Sequence, residues 1–459
     1  MFKKEIYQER RDTLKKLVQS GLVILPANSV APFTSRDECF PFRQDSSFLY
    51  FTGIDTPDCY VLLDIDNDKE WVCGADAPAE AVFWTGKTPS VSDYGQKSGI
   101  NNHGPLSIVT DLVDKAAKSG QSIHYLPPYQ ASVCLKLQEL FGFSRTQLQA
   151  SVSTELIKAV INLRSVKDEL EIKEIETAVN IAHKMHSTAM IMAMPGAHEQ
   201  DIKGVIEGIA VSKGGALSFQ PIVTIRGDIL HNPKYTNTLE SDSLLIVDAG
   251  AETAMHYASD ITRTIPVGKS FTRMQRAVYE VALKANQDAI AAIKPGIPFF
   301  EVHWLASVTI ASGLKDLGLM KGDPEEAVNQ GAHALFFPHG LGHMLGLDTH
   351  DMESLGEDAV GYSAEFTRSE QFGLKSLRLA KSLETGNVIT VEPGIYFIDP
   401  LIDAWKQENK FADFINYNQV ELYRGMGGIR IEDDVLVTET GVRILGDPIP
   451  KSVKELEDF

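Results

Sequence analysis

Residues 244–264 read LLIVDAGAETAMHYASDITRT, from Leu244 to Thr264. An apolar run ends on Asp248, a hairpin-like segment follows (Ala251–Ser259), and Asp260 opens a second run of apolar and β-branched residues. Two antiparallel strands joined in this way bring two carboxylates face to face. An aspartate buried at the end of an apolar strand needs something positive beside it, and two close carboxylates repel until one takes up a proton. A divalent cation removes both costs. One helix cap and one turn would also account for two isolated aspartates, so the pair alone leaves the choice open.

Three further phrases narrow it. Pro338–Asp351, PHGLGHMLGLDTHD, sets His339, His343 and His350 in a glycine-rich stretch. His339 and His343 have the spacing of a zinc-binding helix, but no glutamate follows His339, and Gly340 and Gly342 make a helix poor. Those glycines instead permit close approach of the backbone. Thr390–Tyr396, TVEPGIY, places Glu392 at the end of a strand-like run. Gly427–Val435, GGIRIEDDV, puts Arg430 and Glu432 on one strand face, because side chains repeat every two residues. Taken singly, each is a core histidine or a strand-edge charge. Together Asp248, Asp260, His343, Glu392 and Glu432 make the hard, oxygen-rich set that holds two divalent cations and a shared water.

The rest of the chain sets bounds. At 459 residues it is too long for one compact domain, and its 43% hydrophobic and 23% charged content is that of a globular protein with a sizeable core. The net charge of −19 excludes nucleic acid and an anionic membrane surface as main partners. The opening, MFKKEIYQERRDTLKKLVQS (Met1–Ser20), lacks the apolar core of a signal peptide, and no run has the length of a membrane span. Cys39, Cys59, Cys73 and Cys134 form no C-x-x-C pair, so reduced structural thiols in a cytoplasmic protein are the expectation.

Residues 1–155 read as an α/β domain and residues 156–459 as an α+β catalytic domain. In the first, a helix over 3–20 precedes strands at Leu22–Ala27, Phe48–Phe51, Tyr60–Leu63 and Trp71–Val72. Helices are expected at Ile108–Ala117 and Ala131–Phe141, and a turn at Asp45. In the second, Lys167–Met194 carries helical periodicity that Pro195 and Gly196 end. A helix over 199–212 follows, and then strands at Ser218–Ile225, Leu244–Val247 and Ile261–Val267 precede long helices over 274–293 and 300–317.

The five ligand phrases, in the order Asp–Asp–His–Glu–Glu from Asp248 to Glu432, resemble those of the pita-bread metallopeptidases, the group of methionine aminopeptidase, aminopeptidase P and prolidase. The amino-terminal region, with FRQDSSFLYFTG at Phe42–Gly53, resembles the companion domain of aminopeptidase P and prolidase, so the likeness to that pair spans nearly the whole chain. HGLGHMLGLDTHD and GLKSLRLAKSLETGNVITVEPGIYFIDP (Gly373–Pro400) lean toward prolidase, the Xaa-Pro dipeptidase. Two phrases depart from the pattern. A glycine-rich G-S-G-E-N before His231 is replaced by VTIRGDILHNPKY, and the D-V-G after His350 is Asp351-Met352-Glu353. The same fold hosts metal-free hydrolases of the creatinase type and binding proteins, but those lose several ligands that are all present here.

The resemblance implies a dinuclear hydrolase of the Xaa-Pro bond, acting on dipeptides with a carboxy-terminal proline, or on longer peptides in the manner of aminopeptidase P. It implies two divalent metal ions, manganese being the family's usual one, and a homodimer. Asp248 would chelate one ion, Asp260 and Glu432 bridge both, and His343 and Glu392 complete the second. Glu392 would also move the proton to the leaving nitrogen, and His350 would donate to the scissile carbonyl. His231 and Arg378 would bind the proline carboxylate, His339 support the pocket and Arg430 orient the acids. Arg378 stands 14 residues before Glu392, and a guanidinium suits a terminal carboxylate. A surface arginine on a basic helix with Lys375 and Lys381 is the alternative.

Overall fold

The computed structural model describes residues 1–35 and 37–459. The chain divides into two compact units, Met1–Arg164 and Ser165–Phe459. Among the described residues no helix is long and apolar enough to cross a membrane. Cys59, Cys73 and Cys134 are unlinked thiols.

The first unit is a mixed five-stranded sheet with helices. Leu22–Pro26 pairs antiparallel with Tyr60–Asp64 and parallel with Ile123–His124. Tyr60–Asp64 continues antiparallel to Lys69–Cys73, which runs parallel to Asn102–Gly104. On one face Leu22, Ile24, Tyr60 and Leu62 pack with Val109 and Val113 of helix Ser107–Ser119 and Leu137 of helix Ala131–Phe141. The alternate residues Val23, Leu25, Val61 and Leu63 are buried as well, so both sheet faces are covered and these strands read as continuous apolar runs.

One expected strand is a helix. Phe48–Phe51 belongs to helix Ser46–Thr52, whose first turn is capped by Asp45 accepting from the Phe48 N–H at 2.8 Å. Gly53, left-handed at φ 63°, ends it. Every residue of this helix is buried, so its sequence has no polar face and no helical period to read.

In the second unit Leu244–Asp248 is the middle strand of three. It pairs antiparallel with Ile222–Thr224 and with Thr262–Pro266, in a register that opposes Asp248 to Thr262. A second three-stranded sheet orders Val388–Val391, Asp433–Val437 and Val442–Ile444, and Gly394–Tyr396 pairs with Gly428–Arg430. Bridges from Thr262 to Glu432 and from Met344 to Ile389 tie these pieces together. Of the strand expected over Ser218–Ile225 only Ile222–Thr224 forms, starting after Pro221, which cannot donate to a ladder, and a separate short strand, Ala216–Leu217, precedes it.

Four long helices, Glu169–Met192, Glu199–Ser212, Arg273–Ala292 and Phe299–Asp316, surround this framework. Asp168 and Thr272 start two of them with reciprocal capping boxes. Asn286, on the buried face of Arg273–Ala292, donates to the carbonyls of Val391 at 3.1 Å and Ile431 at 3.3 Å. One helix side chain therefore holds the residue before Glu392 and the residue before Glu432.

Candidate active site

The strand register does most of the assembly. Ligand atoms of Asp248, Asp260 and Glu432 lie within 4.8 Å of one another, as do those of His343, Glu392 and Glu432, and those of Asp260, His343 and His350. The structure thus brings together all five expected ligands. Close approach demands glycine at two places. A Cβ on Gly250 would stand 1.8 Å from the Ser259 carbonyl oxygen, and one on Gly342 would stand 2.0 Å from that of Thr390. These two positions account for the phrases DAG and GLGH.

Four of the five candidate ligands are held from behind. Arg430 Nη2 donates to Asp248 Oδ2 at 2.6 Å, and Thr262 Oγ1 donates to Glu432 Oε2 at 2.7 Å. The Asp260 N–H donates to Asp434 Oδ2 at 2.9 Å. His343 contacts the Met344 carbonyl through Nδ1 at 3.0 Å, which places the proton there and turns Nε2 to the acids. Nε2 lies 3.4 Å from Asp260 Oδ2 and 3.8 Å from Glu392 Oε1.

The electrostatics fit divalent cations. Burial raises Asp248 to about 6, with Arg430 opposing and Asp260 reinforcing the shift. Burial likewise raises Glu392 to about 7, against the pull of His343 and Arg430. Burial and the neighbouring acids raise Glu432 too. Burial pulls His343 down, yet its bond to Asp260 and the nearby charges lift it to about 9. So many acids in one buried space favour protons unless other positive charge is supplied. Asp248 Oδ1 and Asp434 Oδ1 are also buried without a hydrogen-bond partner among the described residues.

Around this centre, the His350 ring meets the His343 ring edge to face, with centroids 4.3 Å apart. His339 contacts the Gly340 carbonyl through Nδ1 and the Tyr396 hydroxyl through Nε2, both at 2.8 Å. Tyr396 also accepts from Arg430 Nη1 at 2.8 Å, so its own proton goes to His339. Burial, with Arg430 nearby, lowers His339 to about 3 and keeps it neutral. His231 is exposed. Partial covering first, and the charge of Arg378 among later causes, lowers both His231 and His350.

Arg378 is not on a basic helix. It follows the single turn Leu374–Ser376 and bonds through Nη1 to Glu353, with Glu357 Oε2 3.4 Å away. Sequence reasoning missed Thr262, Tyr396, Asp434 and Glu353. Thr262 and Asp434 sit beside ligands in phrases already singled out, and strand register alone reveals their aim. Glu353 had a visible signal, since it stands where the D-V-G phrase is broken.

Comparison with known proteins gives the same reading. Residues 173–439 match metallopeptidase family M24, and residues 7–124 match the aminopeptidase P N-terminal domain. The Xaa-Pro dipeptidase of Homo sapiens is 30% identical over 451 residues, 96% of this chain and 89% of that protein. A probable Xaa-Pro aminopeptidase of Fusarium vanettenii is 35% identical over 415 residues, 88% of this chain and 84% of that protein. Among solved structures, a substituted aminopeptidase P of Escherichia coli in complex with substrate superposes with a TM-score of 0.81 at 28% identity, covering 100% of this chain and 98% of that one. Aminopeptidase P II of Yersinia pestis matches equally well, with a TM-score of 0.81 at 28% identity and 100% and 99% coverage. The α+β catalytic unit and the α/β unit ahead of it agree with these matches, and the chain belongs to metallopeptidase family M24, in the branch that carries an aminopeptidase P N-terminal domain.

Proposed function

We propose that this chain hydrolyses the bond between an amino-terminal residue and the proline that follows it. The observation that carries the proposal is the convergence of Asp248, Asp260, His343, Glu392 and Glu432 on one buried space, in a chain similar to proteins named Xaa-Pro dipeptidase and Xaa-Pro aminopeptidase. Asp248 would hold one cation, Asp260 and Glu432 both, and His343 and Glu392 the second. Two bound divalent cations supply a water of lowered pKa and charge stabilisation at the carbonyl oxygen. The family's usual ion, manganese, suits the oxygen-rich donor set.

Water adds its oxygen to the carbonyl carbon, the C–N bond breaks, and a proton goes to the proline nitrogen. Glu392 would carry that proton. Neutral His350, edge-on to His343, donates to the carbonyl oxygen. His339, made neutral by burial and fixed by Tyr396, shapes the pocket together with His231. Arg430 holds Asp248 in place.

Two substrate lengths fit. The dipeptide reading rests on Arg378 as anchor for the proline carboxylate, with His231 beside it. The longer-peptide reading is favoured by the bond that Arg378 already makes to Glu353. We further propose a homodimer, by analogy with the family, and a cytoplasmic location, from a cysteine spacing without a C-x-x-C pair. Release of alanine from Ala-Pro and Ala-Pro-Gly by purified protein with Mn²⁺ tests the reaction. No release from either, under conditions where the protein is folded, would refute it.

A further inference from the structure

Among the residues around the ligand cluster, Glu353 has no part in the reaction proposed above. It opens the single turn Glu353–Leu355, directly after Met352, which is buried and held left-handed at φ 65°. Non-glycine residues adopt that conformation at a cost, so the chain reversal that places Glu353 is imposed by the surrounding packing. The Glu353 carboxylate is well covered and stands between two groups of the candidate site. Its Oε2 accepts from Arg378 Nη1 and lies 3.7 Å from His350 Nδ1.

The charge around Arg378 is therefore already balanced. Glu353 and Glu357 both face its Nη1, while Arg368 ties Glu357 and Asp358 from the other side. Arg378 remains one-third exposed, and its Nε and Nη2 groups make no bond to the protein among the described residues. A neutral carbonyl oxygen can accept from those groups without adding charge. A carboxylate would be a third acid on a guanidinium that already serves two, and it would meet Glu353 at close range.

We propose that Glu353 sets substrate length, disfavouring a free carboxylate on the proline and favouring a proline followed by an amide bond. This rests on the Xaa-Pro reading above and deepens it. Glu353 acts through Arg378 and is a specificity-determining residue.

Ala-Pro and Ala-Pro-amide test this directly, because they differ at that carboxylate and not in length. With Mn²⁺ the parent protein should cleave Ala-Pro-amide with a kcat/KM about tenfold above that for Ala-Pro, the scale of one close charge pair. Glu353→Gln, which keeps the shape and removes the charge, should bring the two values together, with the change carried by KM for Ala-Pro. A parent that prefers Ala-Pro overturns the proposal, as does a Glu353→Gln variant that changes both substrates by the same factor. If that variant does not fold, the ratio in the parent still decides. Zero rates on both substrates would remove the Xaa-Pro reading itself, a result distinct from a reversed ratio.

Discussion

Arg430 and Asp248 are joined by a 2.6 Å bond from Nη2 to Oδ2, and both side chains are largely buried. The same guanidinium reaches Tyr396 through Nη1 at 2.8 Å and Thr262 through Nε at 3.2 Å. One rigid fork thus fixes a metal-ligand candidate, the tyrosine that sets the His339 proton, and the threonine that holds Glu432. Lysine offers a single ammonium and cannot reach all three. Arg430→Lys should lower activity or metal affinity about 10–100-fold while the protein stays folded, as expected for a partner that orients ligands. Mn²⁺ titration and kcat measured on the same preparation would check this, and unchanged values in both would contradict it.

Asp260 belongs to two of the three ligand groupings and bonds the chain to Asp434 through its own N–H. Its side chain, not its backbone, faces the cluster. Asp260→Ala should therefore keep the fold, lose one or both cations by metal analysis, and lose activity on every Xaa-Pro substrate. Full activity in that variant would be incompatible with a two-cation site.

Lys167 and Asp351 form an ion pair of 2.9 Å with both side chains 1% exposed. Asp351 directly follows His350, so the pair ties the start of the catalytic unit to the loop running from His343. Removing the ammonium takes the counter-charge from a buried carboxylate, and Lys167→Met should cost about 3–5 kcal/mol of stability. Replacing both residues by apolar ones should recover part of that loss. Urea unfolding of the three proteins measures it.

His303 is 2% exposed, packs its ring 5.4 Å from Phe337, and has no hydrogen-bond partner on either ring nitrogen among the described residues. Burial, with His333 and His339 nearby, depresses it to about 3. The unfolded chain takes up a proton there below about pH 6.5 and the folded chain does not, so stability is full above that pH and falls on acidification toward 3. Between pH 7 and 5 this one group should cost about 2 kcal/mol. His186, lowered to about 3, and His333, lowered to about 4, act in the same direction, burial being the main cause for each. His303→Leu should flatten the pH dependence of the unfolding free energy by one proton's worth, and an unchanged slope would contradict the assignment.

The residues that cluster as candidate ligands were legible in sequence because each sits in a phrase with a local physical reason. Asp248 ends an apolar strand, Glu392 precedes Pro393-Gly394, and Gly250 near Asp248 and Gly342 beside His343 are demanded by backbone contacts. The long helices were legible because one face is polar. Helix Ser46–Thr52 was not, since total burial erases the period. Residues that act through register were also hidden. Thr262 becomes a partner of Glu432 only when strands far apart in sequence are laid side by side, and Tyr396 meets Arg430 across the Gly394–Tyr396 and Gly428–Arg430 pair. The pairing of Arg378 with Glu353 was hidden for the same reason, although the altered phrase after His350 marked the spot.

The most direct test of the account is the release of alanine from Ala-Pro-amide by protein stripped of metal, measured before and after stepwise addition of Mn²⁺. A two-cation site predicts no hydrolysis in the stripped protein and activity that saturates at two ions per chain. Full activity in the stripped protein, or none at any metal concentration, would contradict it.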